Sequence, residues 1–350
     1  MANDEGTPFS YPFCGEGAVR SADDTMRLRD FLSAQYRYLK NLRIAELSLS
    51  SGAGPERFSG DAIACVFLCH DDLRFLPSFL EHYRSMGVSR FICVDDRSTD
   101  GSREFLQAQE DVDLWVSARR YREARRGKVW REWLMCRYGF GRWYLNVDSD
   151  EYFIAPLHDQ MPLSDYVAVL NRRAIRRVAA PMIDFYPREL EEAVFHGTNG
   201  EKPWEVAPLF DGGDYEGRLE QAGPILLGGV RRRVFHSDNH LMKYPLLYWD
   251  RACTLGASVH WPKPARYNWT TEWGVLLHFK IFSDLAGQVQ QAIQEGQHMG
   301  GAENYIALKN HLEKAESSNF IYEKTINYTG PQSLRSRDFL KSAIEFRENT

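Results

Sequence analysis

Residues 62–68 read Ala62-Ile63-Ala64-Cys65-Val66-Phe67-Leu68, an unbroken apolar run with no polar position to mark an outer face. A strand of that kind is buried on both sides, as happens where helices cover both faces of a parallel sheet. Downstream, Leu73, Leu76, Phe79, Leu80 and Tyr83 fall at helical intervals and stop at Gly87, so a helix is predicted over 73–86. Arg90-Phe91-Ile92-Cys93-Val94 predicts a second strand, 100–109 a helix opened by Asp100 or Ser102, and 112–116 a third strand. A helix over 127–138, with Trp130, Leu134 and Met135 inward, and a strand over 143–147 continue the series. Strand and helix in alternation predict an α/β domain built on a parallel sheet.

Upstream, Met26, Phe31, Leu32, Tyr36, Leu39, Leu42 and Ile44 predict one amphipathic helix within 24–49, and the Ser- and Gly-rich stretch 50–60 a loop. Downstream, 163–173 reads as a helix, 177–183 and 275–282 as strands, and 284–294 and 302–314 as helices. Residues 186–264 combine Gly, Pro and aromatic residues with weak periodicity, which predicts irregular β structure and loops around a pocket. The last thirty or so residues read as a polar peripheral tail.

The chain has 350 residues, 43% hydrophobic and 26% charged, which is globular composition and excludes a disordered or fibrous class. A net charge of −5 argues against nucleic acid as a partner, despite local basic clusters at Arg119-Arg120-Tyr121-Arg122 and Arg231-Arg232-Arg233. Six cysteines lack metal-type spacing and read as reduced, mostly buried residues. Residues 1–14 lack a basic then apolar leader, and no window offers about 18 apolar residues. A cytoplasmic protein is expected, with peripheral membrane contact left open.

Beyond the strand at 143–147 stand Asp148, Ser149, Asp150 and Glu151. Clustered carboxylates repel one another and are costly to desolvate unless a cation or hydrogen-bond donors compensate them, and their hard oxygens suit Mg²⁺ or Mn²⁺. An acidic turn after a strand would have the same sequence. Their place at a carboxyl strand end favours chemistry, because ligands of open α/β sheets bind beyond those ends.

Four segments in order, Cys65 to Asp71, Phe91-Ile92-Cys93-Val94-Asp95-Asp96-Arg97-Ser98-Thr99-Asp100-Gly101, Gly127-Lys128, and Asn146-Val147-Asp148-Ser149-Asp150-Glu151-Tyr152-Phe153, resemble family 2-like glycosyltransferases. Phe79-Leu80-Glu81-His82-Tyr83 and Leu276-Leu277-His278-Phe279-Lys280 resemble a bacterial branch of that family whose strand ends in Asp-Glu-Phe or a close variant. The resemblance covers about residues 61–300. It implies a glycosyltransferase A, Rossmann-like fold with a mixed, mostly parallel central sheet flanked by helices. On that reading 1–60 is an N-terminal helical extension, 61–184 the nucleotide-sugar half, 185–300 the acceptor half, and 301–350 a C-terminal helix and tail.

The same resemblance implies a nucleotide-sugar donor, uridine diphosphate-linked by default, and a glycan or glycolipid acceptor in bacterial polysaccharide assembly. His70, Asp71, Asp95 and Asp96 would line the donor pocket, although His70-Asp71 stands where Asn-Glu is common. Lys128 would meet the donor phosphates. Asp148 and Asp150 would hold Mn²⁺ or Mg²⁺, with Asp148 also near the donor, and His278 would complete the metal set; His260 and His240 are weaker candidates. Plain alternatives stand beside these: a capped turn for the Asp95–Asp100 block, an exposed helix-start lysine for Lys128, and a hydrogen-bonded core histidine for His278.

Transfer with inversion needs one general base, for which Asp184 after the strand 177–183 is the candidate, ahead of Asp211, Asp214 and Glu272. Trp204, Tyr244, Tyr248, Trp249, Trp261, Tyr267, Trp269 and Trp273 suit either sugar stacking or a loop-rich core. The rival readings are a carbohydrate-binding protein without turnover and a nucleotidyltransferase. The latter is disfavoured because Cys69-His70-Asp71-Asp72 replaces a glycine-rich loop.

Overall fold

In the computed structural model of the chain, the described residues are 7–13, 27–58, 62–287, 290 and 319–344. They form β1 (Thr7–Tyr11), α1 (Leu28–Ala45), β2 (Leu47–Ser51), β3 (Ala64–Cys69), α2 (Leu76–Ser85), β4 (Arg90–Asp95), α3 (Ser102–Gln107), β5 (Val112–Ser117), α4 (Lys128–Tyr138), β6 (Arg142–Asn146) and β7 (Glu151–Ile154). There follow α5 (Leu163–Arg172), β8 (Arg177–Tyr186), α6 (Pro203–Val206), β9 (Leu209–Asp211), β10 (Tyr215–Glu220), β11 (Gly223–Leu227), α7 (Gly229–Phe235), β12 (Met242–Trp249), β13 (Val275–Phe279), β14 (Thr325–Asn327) and α8 (Pro331–Arg335).

The unbroken apolar run at 62–68 is explained by β3. Its Cys65, Phe67 and Cys69 pack with Phe79, Leu80 and Tyr83 of α2, while Ala64 and Val66 pack with Val129, Trp130 and Leu134 of α4. Successive side chains point to opposite faces, and each face has its own helix, so no position is left for a polar residue. Burying each large side chain in this way contributes roughly 1.5–3 kcal/mol.

One large sheet has the order β14-β9-β8-β12-β6-β3-β4-β5-β2, with β13 joined to β8 and to β7, and a small sheet has the order β1-β10-β11. The large sheet is mixed, as predicted, but not mostly parallel. Parallel pairing joins β6, β3, β4 and β5, and separately β8 and β13. Antiparallel pairing brings in β12, β7, β9, β14 and β2. The difference follows from the connections: crossover helices α2, α3 and α4 separate β3 to β6, which parallel neighbours require. Beyond α5, among the described residues, β9, β10 and β11 follow one another with no helix between them.

The first sixty residues do more than supply a helical extension, since they also contribute β1 and β2. Strand β1 pairs with β10, and its last residue Tyr11 and the nearby Phe13 set their rings against Trp273. The predicted polar tail is likewise integrated: Phe320, Tyr328, Leu334, Phe339 and Leu340 are buried, and Trp273 and Lys341 exchange backbone hydrogen bonds of 2.8 and 2.9 Å. A few well-spaced apolar residues anchor a segment whose overall composition is polar. The helix predicted over 302–314, the end of that predicted over 284–294, and Asp61 lie outside the described residues. Among the described residues no helix is long and apolar enough to cross a membrane.

Candidate active site

The carboxyl ends of the parallel strands β3, β4 and β6 open on one edge of the sheet, and the turn after β6 lies against the loop after β3. Ser149 Oγ donates to Asp72 Oδ2 at 2.7 Å, which ties the acidic turn to that loop. The turn is closed by Glu151 N–H donating to Asp148 O at 3.1 Å, and β7 then begins at Glu151. Asp184, read as lying beyond its strand, is inside β8.

Pairing of β13 assembles the site. His278 stands opposite Glu151 on antiparallel β7 and beside Asp184 on parallel β8. Its Nδ1 is 2.6 Å from Asp184 Oδ1 and its Nε2 3.6 Å from Asp150 Oδ2. Ligand atoms of Asp150, Glu151 and His278, all buried, lie within 4.8 Å of one another. Asp150 and His278 thus meet as the resemblance implied. Glu151, one of the three carboxylates read as a plausible metal site but left out of the set the resemblance implied, joins them.

Sequence reading missed the cations around this group. Arg131 of α4 donates to Asn146 Oδ1 at 2.8 Å, to Val147 O at 2.7 Å, and to Asp148 Oδ1. Lys243 of β12 donates to Asp148 Oδ2 at 2.8 Å and to Glu151 Oε1. Both carboxylate oxygens of Asp148, the other residue expected to hold metal, are therefore engaged by side-chain cations. Arg231 Nε donates to Asp184 Oδ2 at 2.7 Å, and Lys280 Nζ is 3.4 Å from Asp150 Oδ2. The available signal was a charge inside an apolar pattern: Lys243 interrupts Leu241-Met242 and Tyr244-Pro245-Leu246-Leu247, and Arg131 follows Trp130 on the inner face of its helix.

Electrostatics follow from these contacts. Burial pushes the Asp148 carboxyl upward, but Lys243 and Arg131 outweigh it and hold the group well below the usual carboxylate range. Burial likewise opposes the ammonium of Lys243, and Asp148 and Glu151 reverse that effect and raise it. For Asp184, burial is overcome by Arg231 and His278, which bring the carboxyl down to about 2. At Asp72 burial outweighs the hydrogen bonds from His70 N–H and Ser149 Oγ and the pull of Lys280, and pushes the carboxyl up to about 6.

The predicted donor-pocket residues gather at the ends of β3 and β4, largely in the roles of a capped turn. Asp95 Oδ1 accepts Ser98 N–H at 3.1 Å and its Oδ2 accepts Arg103 Nε at 2.7 Å. Asp96 Oδ2 accepts Tyr121 N–H at 3.0 Å. Asp71, with φ 54°, accepts Thr99 N–H at 2.6 Å, and His70 Nδ1 is 2.8 Å from Asp96 O. Lys128 begins α4, as read, but it is buried: its Nζ donates to Gly256 O at 2.7 Å and Ala257 O at 3.4 Å.

Of the lesser candidates, Glu272 accepts Tyr166 Oη at 2.8 Å and Ser342 Oγ at 2.6 Å, Asp211 is held by Arg233 and Tyr186, and Asp214 by Lys324. His260 Nδ1 lies 2.9 Å from Met242 O, and His240 stacks on Trp261 with centroids 4.6 Å apart. Tyr244, Trp249, Tyr267 and Trp273 are core residues.

The donor set of Asp150, Glu151 and His278 suits a divalent cation of the Mn²⁺ or Mg²⁺ kind, and the imidazole favours the former. When His278 Nδ1–H donates to Asp184, the Nε2 lone pair faces Asp150. A carboxylate on the far nitrogen is the usual way a ligating imidazole is oriented. Comparison of the chain with protein-family models and with curated proteins returned no match in either case.

Proposed function

We propose that the protein transfers a sugar from a nucleoside diphosphate donor to an acceptor hydroxyl in bacterial glycan assembly. The observation that carries this reading is the convergence of Asp150, Glu151 and His278 within 4.8 Å beside the carboxyl ends of β3, β4 and β6. Phosphate-bearing substrates of α/β sheets bind at that edge, and Asp95 and Asp96 keep the order of the resembling motif.

Asp150, Glu151 and His278 would hold Mn²⁺ or Mg²⁺, which supplies positive charge to a leaving diphosphate when bound. Lys243 and Arg131 keep the neighbouring Asp148 ionised and its geometry fixed. Asp184 acts chiefly on His278, because a carboxyl at about 2, held by Arg231, is poorly matched to take a proton near neutral pH. Lys128 steadies the 256–257 backbone. Uridine is the base expected from the resemblance, and a glycan or glycolipid the acceptor.

Titration calorimetry of a nucleoside diphosphate panel, with Mn²⁺ or chelator, tests the reading by comparing wild type with Asp150→Ala. Metal-dependent binding that the variant loses is the expected result. A folded wild type that binds no diphosphate in the presence of metal would sink it. The engagement of Asp148 and Glu151 by Lys243 would then favour the second reading, a carbohydrate-binding protein whose acidic cluster is neutralised from within.

A further inference from the structure

The outward face of α1 is apolar where a soluble helix is normally polar. Leu28, Leu32, Tyr36, Leu39 and Leu42 are each between 44% and 72% exposed. Their spacing of three and four residues places them in one stripe along the helix. Scattered exposed leucines are ordinary, but a continuous stripe marks a binding surface.

The inner face is already occupied. Ala34, Asn41 and Ala45 are buried there, Asn41 donates to Glu132 of α4, and Arg37 donates to Gly256 O at 2.6 Å. The helix is therefore docked through Ala34, Arg37, Asn41, Ala45 and the partly buried Ile44, and the apolar stripe is left over rather than shared with the core.

Charge identifies the partner. Arg29, Lys40 and Arg43 are exposed alongside the stripe. The one acidic residue within α1, Asp30, is paired with Arg266. An apolar face bordered by uncompensated basic residues complements a surface that is both apolar and anionic. A second copy of the same face would set like charges against one another.

We infer that α1 docks in the interface of an anionic lipid bilayer, with Leu28, Leu32, Tyr36, Leu39 and Leu42 among the acyl chains and Arg29, Lys40 and Arg43 at the headgroups. Helices lying in this plane gain affinity from buried apolar area together with attraction to anionic lipid. The inference is independent of the proposed transfer reaction, because none of these residues belongs to the acidic site.

Sedimentation of the full chain with vesicles tests it, using phosphatidylcholine alone or with about a third phosphatidylglycerol. Binding should be at least about tenfold stronger to the anionic vesicles and should weaken with salt. Leu32→Glu with Leu39→Glu should abolish it, and Arg29→Gln, Lys40→Gln and Arg43→Gln should weaken it by about fivefold each. Circular dichroism confirms that these surface variants remain folded. No binding by wild type, or binding that the Glu variants leave unchanged, overturns the inference. Self-association in centrifugation that the Glu variants abolish, without vesicle binding, also overturns it and assigns the face to a second copy.

Discussion

His278 Nδ1 lies 2.6 Å from Asp184 Oδ1, and the other oxygen of Asp184 accepts Arg231 Nε at 2.7 Å. The imidazole is thereby fixed with its second nitrogen toward Asp150. Replacing Asp184 with Asn removes the charge that orients the ring and leaves its shape. Mn²⁺ affinity should fall by about 10- to 100-fold, as is typical when an outer-shell partner of a ligating histidine is lost. Metal titration of the folded variant checks this, and an unchanged affinity would show that His278 is not a ligand held by Asp184.

Lys243, itself buried, joins the fully buried Glu151 to Asp148, whose side chain is 45% exposed. Lys243→Met should leave the buried Glu151 without its ammonium, while Asp148 keeps Arg131. Unfolding in urea should show a loss of roughly 3–5 kcal/mol, the cost of leaving a buried charge uncompensated. Lys243→Arg should retain much of the stability.

His82 Nε2 lies 3.0 Å from Phe153 O, and burial lowers the imidazole to about 3 from its ordinary 6.5. The neutral ring is favoured in the folded state, whereas the unfolded chain takes up a proton below the ordinary value. Stability from this residue is therefore complete above about pH 6.5 and is lost as pH falls toward 3, by on the order of 2–4 kcal/mol. His82→Gln keeps a donor for Phe153 O without titrating. Its stability profile in that window should be flatter than that of wild type, and an identical slope would assign the acid sensitivity to other groups.

Arg177 is fully buried and donates to Pro262 O and Pro264 O at 3.0 Å, to Lys263 O at 2.7 Å and to Asn268. These bonds fix the 262–268 segment, which carries a 3₁₀ turn over Ala265–Asn268. Arg177→Met would leave Asn268 Oδ1 without its donor and take the charged donor from Pro262 O, Lys263 O and Pro264 O, which keep Asn268 Nδ2, Thr254 N–H and Tyr267 N–H, at about 1–3 kcal/mol for each bond lost. Hydrogen exchange should accelerate first in 262–268 while β3 and β4 stay protected.

The strands and helices from β3 to β6 were legible because their connections are short, their side chains fill two opposed helical layers, and each apolar pattern has the period of its element. The stretch 186–264 was not, since its register is set by pairing with distant segments, such as β1 on β10 and β14 on β9. In the acidic group, Asp150 and His278 were legible through the motifs that carry them. Glu151 was read within the carboxylate cluster but not in the final metal set, and the chain reversal into β7 that brings it to His278 does not show in a reading of the turn alone.

The sequence by itself determined the α/β class, the place of the acidic turn at a strand end, and the two-sided burial of β3, because each depends on local period and composition. Tertiary structure decided the antiparallel flank, the core role of Tyr244, Trp249, Tyr267 and Trp273, and which face of α1 is outward. It also decided that Lys243 and Arg131 meet Asp148 while Asp184 meets His278. Those outcomes depend on strands and helices that are remote in sequence coming into register, where a buried charge finds its partner across the sheet and not along the chain.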